Sequence, residues 1–111
     1  LFMSVNIVGL EIVREKDGLA MSSRNIYLNK VQREEAVKIS YALYSASVMI
    51  GKNIFDSTLI IKRIEEILNS LEIIYIQIVD RKFNLLKSVE LQNTIILVEV
   101  KVGSTRLLDN I

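Results

Sequence analysis

The first strong pattern along the chain is helical. Apolar residues recur at spacings of three and four through the middle of the sequence, which is the period of an amphipathic helix. Asn29, with Gln32 three residues later, is a variant of the capping box that begins such a helix, and Gly51 stands where a left-handed residue would end it. The apolar face of this predicted helix consists of Ala36, Ile39, Leu43, Ala46 and Ile50.

A second, shorter helix is predicted directly after the first. Asp56 or Ser57 provides its N-cap, because short oxygen-bearing side chains accept hydrogen bonds from the free N–H groups of a helix start. Charged residues occupy the opposite side, which is therefore expected to face solvent. The apolar face of this helix consists of Ile60, Ile64, Ile67, Leu68 and Leu71.

The apolar period then changes from about 3.6 residues to two, which predicts strands. Residues Ile74 to Val79 alternate with this period, and Thr94 to Val102 are almost all apolar or β-branched. Gly103-Ser104 predicts a turn, after which Thr105 to Leu108 returns as a hairpin partner. Two helices followed by a hairpin-rich half predict an α+β domain, with the helices layered on a small, mainly antiparallel sheet.

The beginning of the chain is predicted to enter this domain through a strand and a loop. Val5 to Val13 is rich in Val and Ile, and Asp17-Gly18 marks a turn in which glycine adopts positive φ. The polar run Ser22 to Asn25 is expected to cap a single helical turn. We interpret residues 1–111 as a single domain, with residues 1–14 as the entering strand, 14–29 as a loop and 30–111 as the helical layer and sheet.

The amino-acid composition restricts the possible chemistry of the chain more than it restricts the possible fold. The 111 residues carry a net charge of +1, which gives no broad electrostatic reason to expect a nucleic-acid or anionic-membrane partner. With no cysteine and no histidine, the chain lacks thiolate sites and the commonest general base, and no metal-binding residue is predicted. The longest uncharged stretch, Ile39 to Gly51, is shorter than the roughly 18 apolar residues of a membrane span, so a soluble, cytoplasmic protein is expected.

Candidate chemistry is concentrated between Arg14 and Asn25. Ser22 and Ser23 offer hydroxyl and backbone donors, and Arg24 adds a planar fork of N–H groups that suits phosphate oxygens. A plainer interpretation is that a serine only caps the helix and that Arg24 is solvated. Without any family resemblance, the sequence favours this plainer interpretation, because serine is common at helix N-caps.

Two motifs point to one family. The run DGLAMSSRN, from Asp17 to Asn25, resembles the ATP-site signature of the pantothenate synthetases, also called pantoate:beta-alanine ligases. The run from Gly103 to Asn110 resembles the G-x-x-R-L-I-D-N motif that closes the same family. The resemblance implies the C-terminal domain of a two-domain, nucleotidyltransferase-like enzyme of the coenzyme A pathway. Such an enzyme uses ATP and Mg²⁺ to form pantoyl adenylate from pantoate. Beta-alanine then attacks the adenylate, and the products are pantothenate and AMP.

The resemblance also implies roles for individual residues. Met21, Ser22, Ser23 and Arg24 fall on the ATP-binding run, with Arg24 as the catalytic residue that neutralises the departing pyrophosphate, and Val13 falls on the position whose backbone lies near adenine. Pantoate and beta-alanine are expected to be bound mainly by an N-terminal domain, in a homodimer, since the family's histidine motif is not in this chain.

The sequence departs from the family pattern in two places and leaves one alternative open. No proline precedes Val13, and Glu99 stands in the last long strand where small residues are usual. Arg106 and Asp109 are a candidate functional pair, but a structural ion pair or a sheet-edge contact is the favoured interpretation. The alternative function is a non-catalytic α+β interaction module that self-associates through its apolar segment, Leu1 to Val13.

Overall fold

The computed structural model describes residues 13–111 and shows two helices packed on one face of a three-stranded antiparallel sheet, which confirms the predicted α+β fold. The predicted strand from Val5 to Val13 lies, except for Val13, outside the described residues. In chain order the elements are a 3-10 helix (Ser23–Tyr27), α1 (Lys30–Gly51), α2 (Ser57–Ile67), β1 (Glu72–Val79), β2 (Ile95–Val102) and β3 (Thr105–Asn110).

Both helices begin at the predicted caps. The Gln32 backbone N–H donates to the Asn29 side chain at 2.8 Å, and the Asn29 N–H donates to the Gln32 side chain at 3.0 Å. This reciprocal pair is a complete capping box. At α2, Asp56 is the N-cap, and its carboxylate accepts from the Thr58 N–H at 2.8 Å. Both starts are therefore encoded by residues close together in sequence.

Helix α1 ends at Gly51 as predicted, but the prediction that Gly51 is the left-handed residue is wrong. Gly51 belongs to the helix, and the left-handed residue is Asn53, with φ of 63°. The Asn53 N–H donates to the Ile50 carbonyl at 2.9 Å, and the Ile54 N–H donates to the Met49 carbonyl at 3.0 Å. These two bonds form a Schellman motif. Asparagine can adopt the left-handed conformation that a Schellman motif requires, so the helix can end without a glycine at this position.

The sheet has β2 at its centre, paired antiparallel with β1 and β3. A bulge interrupts β1: Ile73 pairs with Val100, whereas Tyr75 pairs with Glu99. Ile74 is the extra residue of the bulge, and its side chain is 38% exposed. The predicted strand from Ile74 to Val79 is confirmed, and the bulge within it is a feature that the alternation did not predict.

The core lies between the helices and the inner face of the sheet. Helix α1 packs over β2 and β3, and α2 packs over β1. Leu43 and Ile64, which lie on the predicted apolar faces of the two helices, are completely buried. Within residues 13–111, no helix combines the length and apolar character that crossing a bilayer requires. The most deeply buried apolar side chains include Leu43, Ile60, Ile64, Leu68, Ile78, Ile96, Val98 and Val100.

Candidate functional site

The segment from residue 13 to residue 29, which we call the site loop, begins with a tight hairpin. The Met21 N–H donates to the Val13 carbonyl at 2.8 Å. Gly18 closes the turn with φ of 92°, and its N–H donates to the Glu15 carbonyl at 2.9 Å, which confirms the predicted turn. A Cβ on residue 18 would lie 2.8 Å from the Ser40 hydroxyl oxygen, so both the backbone conformation and the available space favour glycine here.

A 3-10 helix follows and carries Arg24. The Ser22 hydroxyl oxygen accepts from the Arg24 backbone N–H at 3.2 Å, so Ser22 is the predicted cap. Asn25 is buried, and its side-chain amide donates to the Ala20 carbonyl at 3.0 Å and to the Glu15 carboxylate. The turn that bears Arg24 is therefore fixed to the hairpin by a buried amide.

An ion pair joins the hairpin to strand β3. The Arg14 guanidinium donates to both carboxylate oxygens of Asp109, at 2.7 and 2.9 Å, and to the Gly18 carbonyl at 3.0 Å. The Asp109 side chain is only 3% exposed. Arg106 instead lies 3.8 Å from Glu99, so the expected pairing of Arg106 with Asp109 is wrong. Residues three apart in a strand point to opposite faces, which is why these two side chains do not meet.

Helix α1 holds the other side of the site loop through Arg33. The Arg33 Nε donates to the Asp17 carboxylate at 2.9 Å, and an Arg33 terminal nitrogen donates to Glu15. Hydrogen bonds from Asn25 and then from Arg33 lower the pKa of Glu15. Burial raises the pKa of Asp17, but the hydrogen bonds from Arg33 and from the Leu19 N–H outweigh it, so the net shift is downward. Both carboxylates are therefore held in their charged form.

Two hollows beside the site loop share Arg24 and Arg106. The first has a volume of about 270 Å³ and lies between the hairpin, α1 and β3. The second has a volume of about 670 Å³ and opens at the β2–β3 turn. Arg24 is exposed, and its guanidinium has no hydrogen bond or ion pair with any residue in the described range 13–111. The second hollow is lined by Arg24, Tyr27, Lys101, Ser104, Thr105 and Arg106.

The structure brings together only some of the predicted site residues. Met21, Ser22 and Arg24 line the first hollow, whereas Ser23 and Val13 line neither hollow. The Val13 side chain is 66% exposed, and its carbonyl is already bonded to the Met21 N–H. The roles predicted for these five residues in ATP binding and catalysis stay predictions.

Sequence reasoning did not assign the two cations that share a hollow with Arg24. Lys101 and Arg106 lie directly opposite each other in the β2–β3 pairing. The alternation of β3, in which Thr105 and Leu107 are buried while Arg106 is exposed, is the sequence signal that could have placed Arg106 on the outer face.

The acidic residues here do not form a metal centre. Across residues 13–111, no three side chains among the Asp, Glu, His and Cys types lie close enough together to hold a metal ion. Asp109 is the acidic residue that lines the first hollow, and its two oxygens are bound to Arg14. The residues around Arg24 therefore do not fit a magnesium site, because their free groups are cations and hydroxyls.

Comparison with known proteins identifies the family. All of residues 1–111 match the family model described as pantoate-beta-alanine ligase. The chain belongs to this family. The resemblance that the two motifs indicated is thereby confirmed for the chain as a whole.

Comparison with individual members of the pantoate-beta-alanine ligase family supports the same assignment. The chain is 60% identical over 111 residues to pantothenate synthetase of Sulfurimonas denitrificans, covering 100% of this chain and 41% of that protein. It is 49% identical over 110 residues to pantothenate synthetase of Aliarcobacter butzleri, covering 99% of this chain and 40% of that protein. The chain therefore spans about 40% of the length of these curated relatives.

A solved structure of the same family shares the fold. The crystal structure of pantothenate synthetase from Thermus thermophilus superposes with a TM-score of 0.83 at 30% identity, covering 94% of this chain and 38% of that one. The helix and sheet arrangement described above is therefore shared with this solved structure.

Proposed function

We propose that this chain is the ATP-contacting C-terminal part of a pantothenate synthetase. The whole protein would join pantoate and beta-alanine with ATP, through pantoyl adenylate, to give pantothenate, AMP and pyrophosphate. Family membership supports this proposal. The structural observation that carries it is an exposed Arg24 guanidinium, without a partner in residues 13–111, presented over a hollow by a loop that is tied to β3 and to α1.

Arg24 would act on the adenylation step. In that step a pantoate carboxylate oxygen bonds to the α-phosphorus of ATP, and the bond from that phosphorus to the bridging oxygen breaks. The electron pair of the broken bond leaves with pyrophosphate, so negative charge grows on the leaving group. A guanidinium can donate to two of its oxygens, and since the Arg24 guanidinium has no partner within the described part of the chain, it gives up no contact there to do so.

The neighbouring residues would bind rather than react. Ser22 uses an oxygen lone pair to cap the 3-10 helix, so its O–H stays available to donate to a phosphate oxygen. Ser23 would provide a second hydroxyl. The Met21 and Val13 side chains, 59% and 66% exposed, are apolar surfaces against which an adenine ring could pack. In the second step, the beta-alanine amine attacks the acyl carbon of the adenylate and AMP leaves.

Other parts of the reaction are assigned to the rest of the protein. Pantoate and beta-alanine would bind mainly outside residues 13–111, in a cytoplasmic homodimer. Mg²⁺ accompanies ATP in the activity that we propose, but no step is assigned to it here, since the residues around Arg24 do not fit a magnesium site. The alternative of self-association through Leu1 to Val13 concerns residues that, apart from Val13, lie outside the described range, and no observation on residues 13–111 favours it.

The decisive test is Arg24→Ala in the full-length protein that carries this chain. Adenylate formation in single-turnover experiments should fall by about a hundredfold or more, because a preorganised donor to the developing charge is lost. The free energy of unfolding should change by no more than about 0.5 kcal/mol, since the Arg24 side chain is exposed and forms no hydrogen bond or ion pair with residues 13–111.

Two variants accompany this test. Arg24→Lys should restore only part of the rate, because the charge remains but the planar fork is lost. Arg63→Ala, on the exposed side of α2, is the matched control and should keep the parental rate. Normal adenylation by a folded Arg24→Ala protein would remove Arg24 from the site, and loss of its fold would favour the plainer, structural role.

A second test uses the 111-residue chain by itself. Because it has no histidine, we expect no release of AMP when ATP, pantoate and beta-alanine are added to the purified chain. Full turnover by this chain would contradict the proposal that the substrates bind mainly elsewhere in the protein.

A further inference from the structure

The outer face of the sheet carries an unusual juxtaposition of charge. Lys101 on β2 and Arg106 on β3 are directly paired residues, and they line the same hollow as Arg24. Like charges directly opposite each other across two strands destabilise a sheet. Three cations around one hollow therefore repel one another unless an anion lies between them.

The neighbouring carboxylates neutralise this cluster only weakly. Glu99 lies 3.8 Å from Arg106, at the long end of an ion pair, and the Arg106 side chain is still 65% exposed. Glu72 is the β1 residue paired with Lys101, but no ion pair joins the two side chains at 4.0 Å or less. Within residues 13–111 neither Lys101 nor Arg24 has a salt bridge. The hollow therefore keeps most of its positive charge.

The hollow also offers neutral donors. Ser104, an exposed residue at the β2–β3 turn, contributes a hydroxyl group, and Tyr27 of the site loop lines the same hollow. Guanidinium, ammonium and hydroxyl donors around one opening are a set that suits phosphate oxygens. The β2 and β3 backbones are hydrogen-bonded to each other, so Lys101 and Arg106 are held by the sheet rather than by a loop.

We propose that Arg106, assisted by Lys101, is a second polyphosphate-binding element that receives the terminal phosphates of ATP as they leave as pyrophosphate. Arg24 would hold the same group from the site loop, and Arg106 would exchange its distant contact with Glu99 for phosphate oxygens. This inference rests on the proposed function of Arg24, because the two arginines share both hollows. Arg106 is a binding residue in this scheme, and Glu99 competes with the phosphate for it.

The test measures binding of inorganic pyrophosphate to the full-length protein by calorimetry, with thermal melting as a check of folding. Arg106→Gln should weaken pyrophosphate binding about tenfold or more, as expected for loss of a charge-assisted hydrogen-bonding group. Arg106→Lys should recover part of the loss. Lys101→Gln should weaken binding by about two- to fivefold, since an exposed ammonium contributes less.

Two further variants are expected to tighten pyrophosphate binding or to leave it unchanged. Glu99→Gln removes the competing carboxylate and should tighten pyrophosphate binding, a gain that a merely structural role of Arg106 would not produce. Arg63→Gln on α2 lines neither hollow and should bind pyrophosphate like the parent. AMP, which lacks the terminal phosphates, should bind the Arg106→Gln protein as tightly as it binds the parent.

The outcomes separate this inference from the proposed function. If Arg24→Gln weakens pyrophosphate binding and Arg106→Gln does not, the inference is overturned while the role of Arg24 stands. If Arg106→Gln weakens binding and Arg24→Gln does not, the anion site exists but the proposed role of Arg24 fails. If AMP and pyrophosphate binding fall equally in Arg106→Gln, or the parent does not bind pyrophosphate, Arg106 does not receive the leaving phosphates.

Discussion

The site loop and the helix–sheet body, residues 30–111, are held in place by different forces. The body has a continuous apolar core, whereas Leu19 is the single fully buried apolar side chain of the site loop. The site loop is held by directed polar contacts instead, from Arg14 to Asp109 and from Arg33 to Asp17 and Glu15. The loop can therefore be altered by single polar substitutions that leave the body folded, which keeps binding geometry and global stability separable.

The largest effect on stability should come from the body. Leu43 is completely buried at the centre of α1, so Leu43→Ala should lower the free energy of unfolding by about 2–5 kcal/mol through lost burial and a new cavity. Tyr41→Ala is the matched control on the same helix. Because Tyr41 is 54% exposed, this substitution should lower the free energy of unfolding far less. Denaturant titration of both variants measures the difference, and equal losses would contradict the assigned core.

An intermediate effect is expected where the two regions join. Asp109→Asn keeps the shape of the side chain but removes the negative charge to which the Arg14 guanidinium donates two hydrogen bonds, which should cost about 1–3 kcal/mol. Pyrophosphate binding should weaken as well, because the hairpin loses its attachment to β3. Glu66→Gln, an exposed change on α2, serves as the control. Unchanged binding by the Asp109→Asn protein would show that this attachment does not position the loop.

The smallest effect is a dependence of stability on pH. The Asn25 and Arg33 hydrogen bonds lower the pKa of Glu15 in the folded state, so its stabilising contribution is complete above the ordinary glutamate pKa and is lost as the pH falls through the lowered value. Glu15→Gln should therefore be less stable than the parent near neutral pH, and the difference should shrink below about pH 4. Unfolding free energies measured from pH 3 to about pH 7 test this, and a constant difference would contradict it.

The parts of the fold that sequence predicts are those encoded locally. The two apolar periods place both helices and strand β1, because burial of one face imposes the repeat on every turn or pleat. A run of apolar and β-branched residues places β2, and the Gly103-Ser104 turn signal places β3. The caps at Asn29 and Asp56 are equally local, since each hydrogen bond spans two or three residues. The turn at Gly18 belongs to the same class.

The features that sequence reasoning missed or placed wrongly depend on distant partners or on near-equal local choices. Gly51 and Asn53 can both adopt left-handed φ, and it is Asn53, two residues beyond the last residue of α1, that does so. The bulge at Ile74 depends on how β1 aligns with β2. The hollow shared by Arg24 and Arg106 exists only because residues more than eighty positions apart in sequence meet. Motif resemblance pointed to Arg24, but no local pattern located its neighbours.

The Arg14–Asp109 pair has a consequence for the order of folding. It joins residues 95 positions apart, so nearly the entire described chain must be closed into a ring before the contact can form. Contacts of such large sequence separation form late, after local helices and hairpins. During synthesis the site loop leaves the ribosome before strand β3, so its attachment to β3 forms only after β3 has emerged and docked. Within this chain, the segment that we propose handles ATP is thus among the first parts made and the last to be completed.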